Sequence, residues 1–156
     1  MNIRPATRDD VPACVAIIEA RRDLYQTFEP RFWNKSPNSG ALTQGWFSHL
    51  FGDAKVLSLV ADDGGELAGF LIAANVPAPP VFDPGGPTAL IDDFYVKSDG
   101  LWVTAGAALL DAARAALKAG GYAQIVVVGV QRDDAKNALL RRTDLSLASN
   151  WWTAGL

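Results

Sequence analysis

The sequence contains few of the residues that disulfides and metal sites need. Among its 156 residues there is one cysteine, Cys14, and one histidine, His49. A single cysteine excludes an intramolecular disulfide and a cysteine-based metal cluster. Scarce cysteine is also typical of proteins from reducing compartments. We therefore expect a cytoplasmic protein, and no metal site is implied.

Long apolar runs and basic runs are missing as well. No apolar stretch is long enough to cross a membrane, and residues 1–10 lack the apolar segment of a signal peptide. The formal net charge is −3. A negative balance without a basic cluster argues against a nucleic-acid backbone as the main partner. We expect neither a membrane nor a nucleic acid as partner.

The composition is that of a globular protein. Hydrophobic residues make up 49% of the chain and charged residues 20%. A chain of this length can bury a full-sized core within one domain. We see no repeat, linker or low-complexity tract, so we expect residues 1–156 to form a single domain.

Hydrophobic periodicity predicts the order β-α-(α)-β-β-β-α-β-α-β. Two strand-like runs flank the turn "DDGG" at 62–65, which predicts a β-hairpin. The strand "TALIDDFYV" (88–96), the alanine-rich helix that follows it and the strand "AQIVVVGV" (123–130) form a crossover unit. This order predicts an α/β fold with a mixed sheet and helices on both faces. "AQIVVVGV" is apolar on both faces, which predicts a central strand, and "DLSLASNWWTAGL" (144–156) is predicted as the last strand.

Two segments beside the strand at 88–96 are candidates for a binding site. The segment "PAPPVFDPGGP" (77–87) holds five prolines and two glycines, and a stiff loop of this kind often forms the wall of a site. The other is the turn before the alanine-rich helix, which contains Gly106. A helix N-terminus offers unpaired N–H groups and the positive end of the dipole, so it can bind a pyrophosphate that side chains do not block.

The chain resembles the GNAT superfamily of acyl-CoA-dependent N-acyltransferases over nearly its whole length. The resemblance lies in "IRPATRDDVPACVAII", "GELAGFLIA", "DDFYVKSDGLWVTAGAALLDAARAALKAGG" and "QIVVVGV". It implies a single GNAT-like domain that uses acetyl-CoA as co-substrate. The implied reaction is direct transfer of an acetyl group to an amine in a ternary complex. The rival interpretation is a non-catalytic acyl-CoA-binding or interaction module on the same fold.

The resemblance assigns the cofactor site to the end of the strand and to the turn. The residues concerned are Phe94, Tyr95, Val96, Leu101, Trp102, Val103, Thr104, Ala105, Gly106 and Ala107. Of the family pattern Gln/Arg-x-x-Gly-x-Gly/Ala only Gly106 matches, because Leu101 and Thr104 occupy the first two positions. The hydroxyl of Thr104 is predicted either to donate to a phosphate or to cap the helix. Trp102 is predicted to flank the site or to pack on the sheet.

The strand at 88–96 carries two adjacent acids. Strand alternation predicts that Asp92 shares a face with Phe94, and that Asp93 shares the other face with Tyr95. Several GNAT enzymes have a catalytic Glu or His at even spacing from the valine that matches Val96, so Asp92 is the first candidate for the general base and Asp93 the second. A base is needed because an amine attacks a thioester only when it is unprotonated. The alternative is that these acids bind backbone donors of the proline-rich loop.

A tyrosine that many relatives use as general acid is absent. Its expected position falls near Leu140. Either the thiolate leaves without a protein acid or another group serves. Ser146, Ser149 and Tyr122 are candidates, and nothing in the sequence selects one.

The acceptor is expected to be a small-molecule or peptide amine. Trp33, Trp46 and Phe82 are candidate acceptor-binding residues, and Trp33 is equally suited to the core. We interpret His49 as a surface residue rather than a base. Of Trp151 and Trp152, one is predicted to be buried and the other to be available for a homodimer interface.

Overall fold

The computed structural model describes residues 1–156 and contains five strands and four α-helices. The strands are β1 (Asn2–Pro5), β2 (Val56–Asp63), β3 (Glu66–Val76), β4 (Thr88–Val96) and β5 (Gln124–Val127). The helices are α1 (Val11–Phe28), α2 (Ser39–Leu50), α3 (Ala105–Ala119) and α4 (Asp134–Arg141). Short 3-10 helices precede α1 (Arg8–Asp10) and α3 (Asp99–Val103). None of the helices has both the length and the hydropathy to cross a membrane.

The strands form one sheet in the order β1-β2-β3-β4-β5. All neighbours are antiparallel except β4 and β5, which are parallel and joined by the crossover through α3. The predicted hairpin is confirmed, because β2 and β3 are joined through Gly64 and Gly65, whose positive φ angles suit a tight turn. The mixed sheet is likewise confirmed.

Helices cover both faces of the sheet, as the sequence predicts. On one face, α3 packs its buried side chains against β2, β3 and β4 in the larger core cluster. On the other, α1 and α2 pack against the sheet in the second cluster, which includes the fully buried Cys14. Cys14 is therefore a core residue.

The sequence suits α3 to its role beneath the sheet. Alanine and leucine dominate it, and these residues lose little conformational freedom in a helix. Leu109, Leu110 and Leu117 form part of its buried stripe, together with small residues that let the helix lie close to the strands. The helix ends at Gly120, and Gly121 follows with a φ of 79°.

Two sequence predictions at the C-terminal side are wrong. β5 has four residues and lies at the edge of the sheet, not in its middle, because no strand pairs with its outer side. Residues 146–156 form no strand, and Trp151 and Trp152 are 85% and 91% exposed. Neither tryptophan is buried, although the ring of Trp151 lies 6.1 Å from that of Phe32.

Candidate active site

An irregularity in β4 sets the position of the two acids. Leu71 of β3 is opposite Phe94, and Ala73 is opposite Ile91. Two residues of β4 therefore lie between positions that are separated by one residue in β3, which is a β-bulge containing Asp92 and Asp93. Ile91 and Phe94 both belong to the core cluster beneath α3. Strict alternation is interrupted at the bulge, so counting by twos from Val96 does not determine the face on which Asp92 lies.

The two acids differ in their surroundings. Asp92 is exposed, whereas Asp93 is half-buried. Burial, and to a smaller extent the neighbouring charge of Asp92, raise the pKa of Asp93 to about 6 against the opposing effects of Arg22 and Lys136. A carboxylate with this pKa can both accept and release a proton near neutral pH.

The last part of β4 has an unpaired edge. β5 pairs with β4 only as far as Ile91, and the N–H of Val128 makes a last bond to the Ile91 carbonyl. On the other side, the N–H of Lys97 donates to Ala68 of β3. Because hydrogen-bonded pairs alternate in an antiparallel ladder, the N–H and C=O groups of Phe94 and Val96 point away from β3. No strand pairs with this side of β4 beyond Ile91, and the Phe94 carbonyl there accepts from Lys136.

The turn after β4 leads directly into α3. The first helical bond joins the N–H of Ala108 to the carbonyl of Thr104, so the N–H groups of Ala105, Gly106 and Ala107 have no partner within the helix. Thr104 is exposed, and its hydroxyl donates to the Leu101 carbonyl at 3.4 Å instead of capping the helix. The predicted capping role is absent from the structure.

Packing beneath the turn explains Gly106 better than phosphate access does. Trp102 is 1% exposed and its ring lies edge-on to Phe94, with 5.0 Å between centroids. A Cβ at Gly106 would lie 2.7 Å from Cε3 of Trp102 and 3.2 Å from a methyl of Leu139. Of the two predicted positions for Trp102, the structure has the packed one. Its indole N–H has no hydrogen-bond partner.

We therefore expect Gly106→Ala to destabilise the fold by about 1–3 kcal/mol, the usual cost of overpacking a core. Denaturant unfolding measures this change. Gly100→Ala is the matched control, because a Cβ at Gly100 meets no atom within 4 Å. Equal unfolding free energies for the two variants would contradict this explanation of Gly106.

A buried polar network fixes α1 against the turn and α4. The hydroxyl of Tyr25 donates to Asp133 at 2.6 Å, and Arg21 lies 3.8 Å from the same carboxylate. Arg21 also pairs with Asp99 at 2.8 Å. Sequence reasoning missed these residues, because they come from three segments far apart in the chain and match no motif.

Lys136 is the second feature that sequence reasoning missed. It lies in the first turn of α4 and is 1% exposed. Its Nζ donates to the Phe94 carbonyl at 3.1 Å. The rings of Phe94, Tyr95 and Trp102 surround the ammonium at 5.2, 5.1 and 5.6 Å from their centroids. The available signal was its position three residues before the core residue Leu139, on the buried side of a helix.

The candidate acceptor residues do not lie together. Phe82 is 70% exposed and lines a groove of about 670 Å³ between the proline-rich loop and the first halves of β4 and β5. Trp33 is half-buried and packs on Tyr25, with 5.6 Å between ring centroids. Trp46 is exposed on α2 beside His49. His49 is exposed, as the sequence predicts.

None of the residues that could replace the missing tyrosine as general acid makes a contact that distinguishes it from the others. Leu140 is half-buried against the larger core cluster. Ser146 and Ser149 are exposed in the C-terminal segment, and Tyr122 packs on the core just before β5.

Comparisons with known proteins agree with this architecture. A family model described as the acetyltransferase (GNAT) family matches residues 18–142. No curated protein matches the chain significantly. A point mutant of the BH1408 protein from Bacillus halodurans is similar in structure, with a TM-score of 0.85, 16% identity and coverage of 100% of this chain and 99% of that one.

Two solved structures with named activities share the fold. A ribosomal-protein-alanine N-acetyltransferase from Brucella melitensis biovar Abortus 2308 has a TM-score of 0.63 at 19% identity, with 100% and 99% of the two chains covered. An aminoglycoside acetyltransferase from an uncultured soil metagenomic sample has a TM-score of 0.64 at 16% identity, with 99% and 96% covered. At these identities the likeness concerns the fold alone.

Proposed function

Because the chain belongs to the GNAT family of acetyltransferases, we propose that it transfers an acetyl group from acetyl-CoA to an amine by direct attack in a ternary complex. One observation carries the proposal. The unpaired edge of β4 runs from a bulge with two acids to the free N-terminus of α3. Along the chain, a proton acceptor is thus followed by backbone groups that can bond an amide-containing arm, and then by a phosphate site.

The residues of the turn fit the phosphates of acetyl-CoA through backbone groups. Ala105, Gly106 and Ala107 supply N–H donors at the positive end of α3. Leu101 supplies no charge, and the basic side chain of the turn, Lys97, pairs with Glu66. The affinity therefore depends on the helix terminus more than on ion pairs. The arm of acetyl-CoA contains two amides, which suit the N–H of Phe94 and the N–H and C=O groups of Val96; the Phe94 carbonyl already accepts from Lys136.

Asp93 is the proposed general base. Its half-buried carboxylate lies in the bulge, and the charge of Asp92 beside it favours proton uptake. Asp93 accepts the proton that the attacking amine loses, either directly or through water. Asp92, which is exposed, acts on the pKa of Asp93 and on the approach of a cationic acceptor.

The acceptor is proposed to approach through the groove at the proline-rich loop. Phe82 and Asp83 line this groove, and they suit an aromatic or cationic amine. The names of the structural relatives include a ribosomal-protein alanine and an aminoglycoside, so a peptide N-terminus and a polycationic sugar are the first acceptors to test. Trp33 and Trp46 stay candidate contacts for larger acceptors, and the exposed Trp152 stays a candidate homodimer contact.

The second candidate function is a non-catalytic acyl-CoA-binding module. It is favoured by Leu140 at the tyrosine position and by the turn with Leu101 and Thr104. An amine panel distinguishes the two, because an enzyme releases free CoA thiol with at least one acceptor, whereas a binding module binds acetyl-CoA without turnover.

Titration calorimetry with acetyl-CoA tests the phosphate site. We expect saturable binding by the wild type and a loss of roughly tenfold or more in affinity for Thr104→Glu, since a carboxylate at the start of α3 repels the phosphates. The same charge is compatible with folding, because acids are favourable at helix N-termini. Thr104→Gln controls for size, and Gln44→Glu on α2 controls for net charge. Equal affinity of Thr104→Glu and both controls would exclude this phosphate site.

A further inference from the structure

The ammonium of Lys136 is buried with most of its hydrogen-bonding capacity unused. An ammonium has three N–H donors. One of them bonds to the Phe94 carbonyl at 3.1 Å, and no carboxylate forms an ion pair with Nζ. Burying a charged group without a paired carboxylate costs several kcal/mol. The three aromatic rings around Nζ offset part of this cost. An apolar side chain of similar length would fill the same space without it, so packing alone does not account for a lysine here.

The position of this ammonium coincides with the unpaired edge of β4. The Phe94 carbonyl points away from β3 on the side where β5 no longer pairs with β4 beyond Ile91. Phe94 directly follows the bulge acids Asp92 and Asp93. Lys136 also packs on Trp102, which anchors the turn before α3. The ammonium thus lies between the proposed phosphate site and the proposed base.

We propose that Lys136 is the proton donor to the departing thiolate when the acetyl group is transferred. The inference rests on the proposed function and assigns an acid that the sequence left unassigned. Its place on α4 is one helical turn before Leu140, on the same side of the helix. The two unpartnered N–H groups of Lys136 are the donors available to the sulfur.

The groups of the site account for every proton that moves in this step. The amine nitrogen forms a bond to the acetyl carbon, and the carbon–sulfur bond breaks with its electron pair on sulfur. Asp93 takes the proton released by the amine, and Lys136 gives a proton to the sulfur. Proton transfer from Asp93 to neutral Lys136, through water, restores both groups. No further reactant is needed.

The charges around Lys136 are compatible with this role. Burial lowers its pKa from the ordinary 10.5 to about 8, and the carboxylates of the site oppose this shift. Ordinary thiols have a pKa of about 8.5, so proton transfer between the two is nearly balanced. The ionisable groups that face Lys136 are Asp133 at the start of α4, Asp92, Asp93 and Tyr95 on β4, and Arg21 on α1.

Free CoA bound to the protein is the probe for this proposal. The ultraviolet absorbance of the thiolate is followed over a pH series, and a complex with desulfo-CoA corrects for tyrosine ionisation. We expect the wild type to lower the pKa of the bound thiol by about one unit, which is a tenfold gain in the ratio of thiolate to thiol. Lys136→Met is expected to bind CoA with a thiol pKa equal to that of free CoA. Lys136→Gln is a second variant in case Met does not fold.

A pH–rate profile is the second readout. In the wild type, kcat is expected to fall above pH about 8 as Lys136 loses its proton. In Lys136→Met this alkaline limb is expected to be absent, and kcat lower throughout. Lys118→Met removes the same charge from an exposed position of α3 and is expected to retain the wild-type profile.

The outcomes separate this inference from the proposed function. Saturable CoA binding with an unshifted thiol pKa in the wild type would overturn the role of Lys136 and leave acetyl transfer intact. An equally lowered thiol pKa in wild type and Lys136→Met would do the same. A wild type that binds no CoA would overturn the proposed function and this inference together.

Discussion

Asp93→Asn is expected to reduce the rate of acetyl transfer by about 100-fold or more at neutral pH, the usual contribution of a general base. Asparagine keeps the size of the side chain but cannot take the proton that the amine must lose. Affinity for acetyl-CoA should change little, because the phosphate and amide contacts lie further along β4 and at α3. Steady-state kinetics and calorimetry measure the two effects separately.

The pH dependence follows from the raised pKa of Asp93. Because this carboxyl group titrates at about pH 6 in the folded protein, the wild-type kcat/KM should rise with pH through that value and then level off. The variant should lack this rise. Its deficit should narrow at high pH, since the acceptor amine then arrives unprotonated.

Asp92→Asn is the matched control for this prediction. The charge of Asp92 raises the pKa of Asp93, so its removal should move the rise in kcat/KM to lower pH while the plateau stays near the wild-type value. If Asp92→Asn instead shows the large loss and Asp93→Asn shows none, then the exposed Asp92 is the base. The choice of Asp93 from its burial would then be wrong.

The assumption of regular alternation through Asp92 and Asp93 fails for a local reason. Counting by twos from Val96 assumes an uninterrupted pleat, whereas the bulge places two residues opposite one of β3. Glycine is the usual sequence sign of a bulge in a strand, and none occurs in "TALIDDFYV". The bulge therefore depends on the pairing of two strands, which the sequence of one strand does not contain.

The hairpin and α3 could be predicted because their signals are local. Turn glycines flanked by apolar runs define β2 and β3, and the alanine-rich stripe followed by Gly120 and Gly121 defines α3. The edge position of β5 was missed for the opposite reason. An apolar strand at a sheet edge resembles a central one until its neighbours are known.

The polar groups of the candidate site were the hardest to predict. Tyr25, Asp133 and Arg21 meet through contacts between residues more than 100 positions apart. Lys136 reads as an ordinary surface lysine, since most lysines are exposed. The structure shows that its Nζ donates to the Phe94 carbonyl and that this charged group is buried, which is energetically unfavourable. Burial of this kind is a common sign of a functional group.

Lys136→Met is expected to stabilise the fold at neutral pH, because it removes a charge that burial disfavours. The difference between 10.5 and about 8 corresponds to about 3 kcal/mol at about 1.4 kcal/mol per pKa unit. Loss of the hydrogen bond to the Phe94 carbonyl costs about 1 kcal/mol. The contacts of the ammonium with three aromatic rings are lost as well, so the net gain in the free energy of unfolding is at most about 2 kcal/mol, measurable by denaturant unfolding.

The gain should depend on pH in a defined direction. Between pH about 8 and 10.5 the unfolded chain holds the lysine proton and the folded protein releases it, so wild-type stability rises with pH across this window. The advantage of Lys136→Met should be greatest below pH 8 and should disappear toward pH 10.5. Lys118→Met, at an exposed position, should show neither the gain nor the pH dependence. If Lys136→Met is less stable than the wild type at pH 7, the lysine has a structural role. If the variant is more stable but less active, the wild-type protein is less stable because it keeps a lysine for proton transfer.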